Sequence, residues 1–330
     1  MANSSHSRKT AAKLLLLGAG FSLLSACSRS EPENDSVADS VEAVITAIGG
    51  TGDEVANEVL TSQRAPRLDF LTQWLESPSA WASAVVCNTR AASQQCVVAP
   101  NPGVRQVTYS ECGTGSLGFP KSGTVTLNYQ TTACTFAAVG DFVRRTQEET
   151  TTGPRGGVLR ITSAAHPDYA QDTIGDSASS PPREGEFVSQ DSATTYQLGI
   201  YSVHKIVTKN GATLSDLSLH TGGGLGGGGA WPPLSVSGAI GRAGRIVNSG
   251  VSTVTVEVSH NISRYIASHN LTNVTWSTSE CCYPTSGTDT IKLSGSVTGT
   301  AQATFSATCG QATVTQSGQA NKDVQFRNCE

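Results

Sequence analysis

Apolar side chains follow two different spacings along this chain, and the change from one to the other divides it. Val37, Val41, Val44, Ile45 and Ile48 recur at the helical period and share one face. Ser36 can cap this helix, with Asp39 three residues on in the place of a capping box. Gly49-Gly50 predicts its end. A second helix is predicted from near Pro66, with Leu68, Leu71, Trp74 and Leu75 on one face and Pro78 beyond its end. Two short amphipathic helices need a body to pack on.

From Cys96 onward the period becomes two. Val125, Leu127 and Tyr129 alternate with Thr124, Thr126 and Asn128, the pattern of a strand with one buried face. Val254, Val256 and Val258 alternate in the same way, as do Val274 and Trp276. Asn210-Gly211, between apolar runs at 201–208 and 213–219, predicts a hairpin with a two-residue turn. Residues 166–191 hold Pro167, Gly175, Pro181 and Pro182 among several acids and predict a long loop. Gly222 to Gly229, interrupted by Leu225 and followed by Trp231-Pro232-Pro233, reads as a linker. The expected fold is mainly β, in antiparallel sandwich- or barrel-like units in tandem, behind a short helical N-terminal segment.

A repeated motif supports the tandem. Val107-Thr108-Tyr109-Ser110-Glu111-Cys112 recurs as Val274-Thr275-Trp276-Ser277 and then Glu280-Cys281. Each copy continues to an aromatic, a proline and a Ser-Gly-Thr, at 119–124 and 283–288, and then to a strand and another cysteine, Cys134 or Cys309. The domains expected are 87–221 and 234–330, joined by a linker at 222–233 and preceded by a helical segment at 37–86.

The N-terminus changes the picture most. Arg8, Lys9 and Lys13 precede an apolar run from Leu14 to Leu24, the layout of a signal peptide over residues 1–26. That run is short of the roughly 20 apolar residues needed to span a bilayer. Leu24-Ser25-Ala26-Cys27 resembles the bacterial lipobox, which implies cleavage before Cys27 and acylation of its thiol. Residues 27–36 are polar and acidic, as expected of a tether. By the same resemblance, Ser28 after the cysteine implies sorting to the outer membrane.

Composition narrows the partners. The formal charge of −4 falls to about −7 once the three basic signal residues leave, which argues against nucleic acid. Of nine cysteines, Cys27 is assigned to lipid. The other eight, Cys87, Cys96, Cys112, Cys134, Cys281, Cys282, Cys309 and Cys329, form an even set suited to an oxidising compartment. The repeat pairs Cys112 with Cys134 and, correspondingly, Cys281 or Cys282 with Cys309. The remaining member of the vicinal pair then joins Cys329, and Cys87 joins Cys96. A zinc site is the competing reading, but no C-x-x-C pair exists.

The lipobox, Cys-Cys-Tyr-Pro-Thr-Ser-Gly-Thr at 281–288 and Ala-Thr-Cys-Gly-Gln-Ala-Thr-Val-Thr at 307–315 resemble an uncharacterised family of secreted, cysteine-bridged, β-rich bacterial lipoproteins. That resemblance implies an envelope location and a β fold, and transfers no activity.

Catalytic signatures do not emerge. There is no G-x-S-x-G elbow, H-E-x-x-H, P-loop or dinucleotide fingerprint, and His166, His204, His220, His260 and His269 lack signature contexts. No catalytic residue is assigned, and no cofactor is expected. Asp168, Asp172 and Asp176 offer oxygen ligands to calcium, a solvated acidic loop being the simpler reading. Tyr201, Trp231 and Trp276 offer an aromatic platform for sugar rings, core packing being the simpler reading. The expectation is a lipid-anchored envelope protein presenting a non-enzymatic binding or adhesive β surface to a polysaccharide or protein partner. Its alternatives are an envelope-polymer hydrolase with a site assembled from distant residues, and a purely structural component.

Overall fold

The computed structural model describes residues 33–56, 103–114, 119–129, 134–153, 156–163, 185–221, 233–249, 255–278 and 281–326. Among the described residues one helix, α1 (Glu33–Val55), precedes fifteen strands. The first seven are β1 (Val104–Thr114), β2 (Phe119–Tyr129), β3 (Phe142–Thr152), β4 (Gly157–Thr162), β5 (Gly185–Gln190), β6 (Thr195–Lys209) and β7 (Ala212–Thr221). After them come β8 (Leu234–Gly238), β9 (Arg245–Asn248), β10 (Val256–His260) and β11 (Tyr265–Trp276). The last four are β12 (Ser286–Gly295), β13 (Gly299–Phe305), β14 (Gln311–Gln316) and β15 (Lys322–Gln325). The protein is mainly β, and every pairing among the described strands is antiparallel.

All fifteen strands belong to one sheet. β7 pairs with β10, and β6 with β8, so strands on the two sides of residues 222–232 are hydrogen-bonded neighbours. The expected boundary at 222–233 is therefore not a boundary of the sheet, and a single apolar core joins α1 to both halves. The sequence repeat survives as two hairpins, β1–β2 and β11–β12, each with an irregular register near the repeated motif.

Between β3 and β11 the sheet runs in two tiers. One passes through β4, β6, β7 and β10, the other through β5, β6, β8 and β9. Where strands diverge, the backbone of the long strands loses a ladder partner, and an unpaired buried amide is costly. Hydroxyls fill those places. Ser163 Oγ accepts from Gln147 N at 2.9 Å, and Ser249 Oγ accepts from Leu271 N at 2.8 Å. Thr221 Oγ1 accepts from Ile200 N at 3.1 Å and donates to Ile200 O at 3.2 Å.

The sheet wraps α1. The helix touches β5, β6, β7, β10, β11 and β14, and Val37, Val41, Val44, Ile45, Ile48 and Val55 are all buried. Ser40, Thr46 and Thr51 are buried as well, their hydroxyls bonded to carbonyls three or four residues back. α1 starts at Glu33 rather than after Ser36, and it does not stop at Gly49-Gly50. Helix propensity is overridden by packing here. At Gly52 a Cβ would stand 2.1 Å from Arg245 Nη1, so the wall of the sheet approaches closer than a larger residue permits. The second predicted helix lies outside the described residues.

The Asn210-Gly211 turn is present, with φ of 52° and 78°. The predicted loop at 166–191 is partly overturned, because Gly185–Gln190 forms β5. Two partners explain it: β5 pairs with β3 on one side and β6 on the other, and tertiary pairing outweighs its weak alternation.

Candidate functional site

A strand in this sheet turns one row of side chains toward α1 and the other away from it. On β3 the row toward α1 holds Val143, Arg145, Gln147 and Glu149, all buried. Two ion pairs occupy it, Lys121 with Glu149 at 2.7 Å and Arg145 with Glu186 at 3.2 Å. These charges face the interior and hold strands together.

The opposite row builds a groove. Thr124 and Thr126 of β2, Thr146 and Glu148 of β3, Arg160 and Thr162 of β4 and His204 of β6 line a cavity of about 530 Å³. Register places Thr126 opposite Thr146, Thr124 opposite Glu148, Glu148 opposite Thr162 and Thr162 opposite His204. The lining is mainly a polar row on β2, β3, β4 and β6, continued by Gln106 of β1, with Ile206 beside it. Glu148 and Arg160 pair at 3.0 Å across the exposed side. His204 Nε2 lies 2.8 Å from Asp216 Oδ1, and Asn261 Nδ2 donates to the same oxygen at 2.6 Å.

The groove lies at the fork between β4 and β5. Gln147 and Ser163 contribute to its floor, and Ser163 and Gly185 are the described residues on either side of 164–184. A Cβ at Gly185 would stand 2.0 Å from Arg145 O, so glycine is required where β5 begins against β3. Asp168, Asp172 and Asp176 lie outside the described residues, as does His166. Among the described residues no group of three or more His, Cys, Asp or Glu side chains is placed to hold a metal.

The aromatic platform is not assembled. Trp276 is fully buried, donates from Nε1 to Cys282 O at 3.0 Å, and lies under the Arg245 guanidinium at 4.6 Å. It is a core residue because β11 turns it toward α1. Tyr201 stacks on Phe187 at 4.7 Å, in an aromatic group that also includes Phe142. Trp231 lies outside the described residues.

Cys281 and Cys309 are bonded, with Cα atoms 5.7 Å apart, which fits one of the two pairings left open by the repeat. Cys134 and Cys282 each take part in a disulfide as well. Cys27, Cys87, Cys96 and Cys329 lie outside the described residues, and Cys112 is placed on β1 by its backbone.

The other histidines are interior or edge residues. His269 Nδ1 lies 2.6 Å from Asp289 Oδ2, both side chains fully buried. His220 lies 3.2 Å from Glu257. His260 stacks on Tyr265 with centroids 3.9 Å apart. Burial, reinforced by neighbouring His269, pushes the His260 pKa down from 6.5 to about 3. Between those values the unfolded chain binds a proton that the folded chain excludes. Stability at this site is therefore full above pH 6.5 and declines as pH falls toward 3, at up to about 1.4 kcal/mol per pH unit. Urea unfolding from pH 7 to pH 4 should show this decline, with a shallower slope in His260→Phe. An unchanged slope in the variant would contradict the assignment.

Sequence reasoning missed the groove, although the signal was present. Thr124, Thr126, Thr146 and Thr162 all fall on the solvent phase of alternating strands, but register alone shows that they are neighbours. No protein-family model, curated protein or solved structure matches this chain.

Proposed function

We propose that this chain is an exported envelope protein, anchored by lipid on Cys27, that binds a polyhydroxylated envelope polymer in the groove across β2, β3, β4 and β6. The observation that carries this reading is the composition of the groove: threonine hydroxyls in adjacent registers, with an ion pair and an acid-paired histidine at its margins. Hydroxyls both donate and accept, as sugars do, and the row extends across strands rather than closing on a point. The signal peptide and lipobox support delivery to the outer membrane, where such polymers occur.

Calorimetry of the purified protein with soluble envelope glycans tests this. Binding is expected, and Thr126→Val with Thr146→Val should weaken it about thirtyfold, because two hydrogen bonds of roughly 1 kcal/mol each are lost while strand propensity and volume are kept. Absence of glycan binding, or equal binding by the double variant, would reject the reading.

His204 with Asp216 favours a second reading, in which the groove also hydrolyses its ligand. Release of smaller glycans that stops in Asp216→Asn, with binding retained, would select it.

A further inference from the structure

We infer that the end of the sheet carrying the α1 N-terminus is a membrane-docking surface, with Leu214 and Ile262 as its apolar contacts. The inference rests on the proposed acylation of Cys27 and adds an orientation to it.

α1 runs along the sheet with opposite ends at opposite rims. Its C-terminal Asp53 pairs with Arg242 and Arg245, beside Trp276 at the end of β11. Toward its N-terminus, Asp39, Glu42 and Thr46 share a cavity of about 460 Å³ with Leu214 and Leu217 of β7. Lys205 Nζ donates to Thr46 Oγ1 at 2.6 Å on the same side. The N-terminus of α1 thus opens at the rim where β6 turns into β7.

The β10–β11 turn belongs to that rim too. His260 lies opposite both Leu217 and Tyr265, and Asn261 N donates to Asp216 O at 3.0 Å. This sets Ile262 beside the first residues of β7. Among the described residues three large apolar side chains are well exposed, and two are here: Leu214 at 60% and Ile262 at 53%. The third, Val139, lies just before β3 begins, at the opposite rim.

Cys27 precedes Glu33 by six residues, a reach of about 20 Å when extended. Acyl chains on Cys27 therefore hold the bilayer close to this rim and not to the other. Two exposed cations, Lys209 and Arg264, border the apolar pair at headgroup level. The exposed acids Asp39 and Asp323 belong to other elements of the rim, so insertion of Leu214 and Ile262 contributes more than net charge. With this rim on the membrane, the opposite rim faces away.

The test uses the full acylated chain in phosphatidylethanolamine–phosphatidylglycerol vesicles containing brominated lipid. Leu214→Trp and Ile262→Trp, both at exposed positions that a larger ring does not disturb, should show blue-shifted emission and quenching beyond the wild-type protein. Val139→Trp should be quenched no more than wild type. Equal behaviour of all three variants would overturn the docking surface. The mass of the N-terminal peptide reports acylation separately. A lipidated Cys27 without quenching at 214 and 262 removes the docking surface and leaves the anchor. An unmodified Cys27 with quenching removes the anchor and leaves the docking surface.

Discussion

Asp53→Ala is expected to cost about 3–5 kcal/mol of folding stability, the range for removing one partner from a buried ion pair. Asp53 is 2% exposed and meets two guanidiniums. Arg245 Nη2 donates to Oδ1 at 2.7 Å, and Arg242 Nε donates to Oδ2. Both arginines are buried, Arg245 completely. Arg245 also donates to the carbonyls of Ile48 and Gly49 in the last part of α1, so it ties the helix end to the β8–β9 hairpin. Without the carboxylate, two cations remain in a low-dielectric interior with carbonyl oxygens as partial compensation. Urea unfolding should register the loss, and limited proteolysis should find α1 released earlier. A loss under about 1 kcal/mol would mean that the pair contributes little beyond its own desolvation cost.

Gly287→Ala should destabilise the protein by about 3 kcal/mol, combining left-handed backbone strain with a direct clash. Gly287 has φ of +103°, and a Cβ there would stand 2.4 Å from Asn273 O and 2.6 Å from Val274 Cα. Both contacts are backbone atoms of β11 and cannot rotate away. Gly318→Ala isolates the conformational part, because its φ is +82° but nothing lies within 4 Å of the added carbon. That control should cost only about 1 kcal/mol. Equal unfolding midpoints for the two variants would show that the close approach at Gly287 is absent.

The same comparison explains the repeated Ser-Gly-Thr. Gly123, its counterpart, has φ of +136° and would bring a Cβ within 2.1 Å of Glu148 O. The two glycines meet different neighbours: Gly123 presses on β3, whereas Gly287 presses on its own hairpin partner β11. Sequence similarity thus marks two sites with the same backbone demand inside one sheet.

Much was legible in the alternation of single strands. Val125, Leu127 and Tyr129 are buried in the predicted phase, and so are Val256 and Val258. The hairpin at Asn210-Gly211 followed from local turn chemistry. These features depend on neighbours within a few residues, which is the range over which a sequence pattern carries information.

The helical face predicted for α1 was correct as far as it went. Its other positions Ala43, Thr46, Ala47 and Gly50 are enclosed too. Small residues on a helix look like a weak apolar pattern in sequence, yet they permit a sheet to approach from every side. Gly49 and Gly50 therefore read as a stop signal and, with Gly52, act as packing surface. Trp276 is buried in the same phase as Val274, with Asn273 and Thr275 on the other side of the strand.

What the sequence by itself determined is the local grammar: a helix near residue 40 and alternating strands with their turns. Only the tertiary structure decided that the strands form one sheet around α1, that Asp53 lies between Arg242 and Arg245, and that hydroxyls from β2, β3 and β4 line a groove with His204 of β6. Those arrangements join residues up to nearly two hundred positions apart, as in the Asp53–Arg245 pair at a separation of 192. Pairing register selects such partners through burial and backbone hydrogen bonding summed over whole strands, and no single stretch of sequence contains that sum.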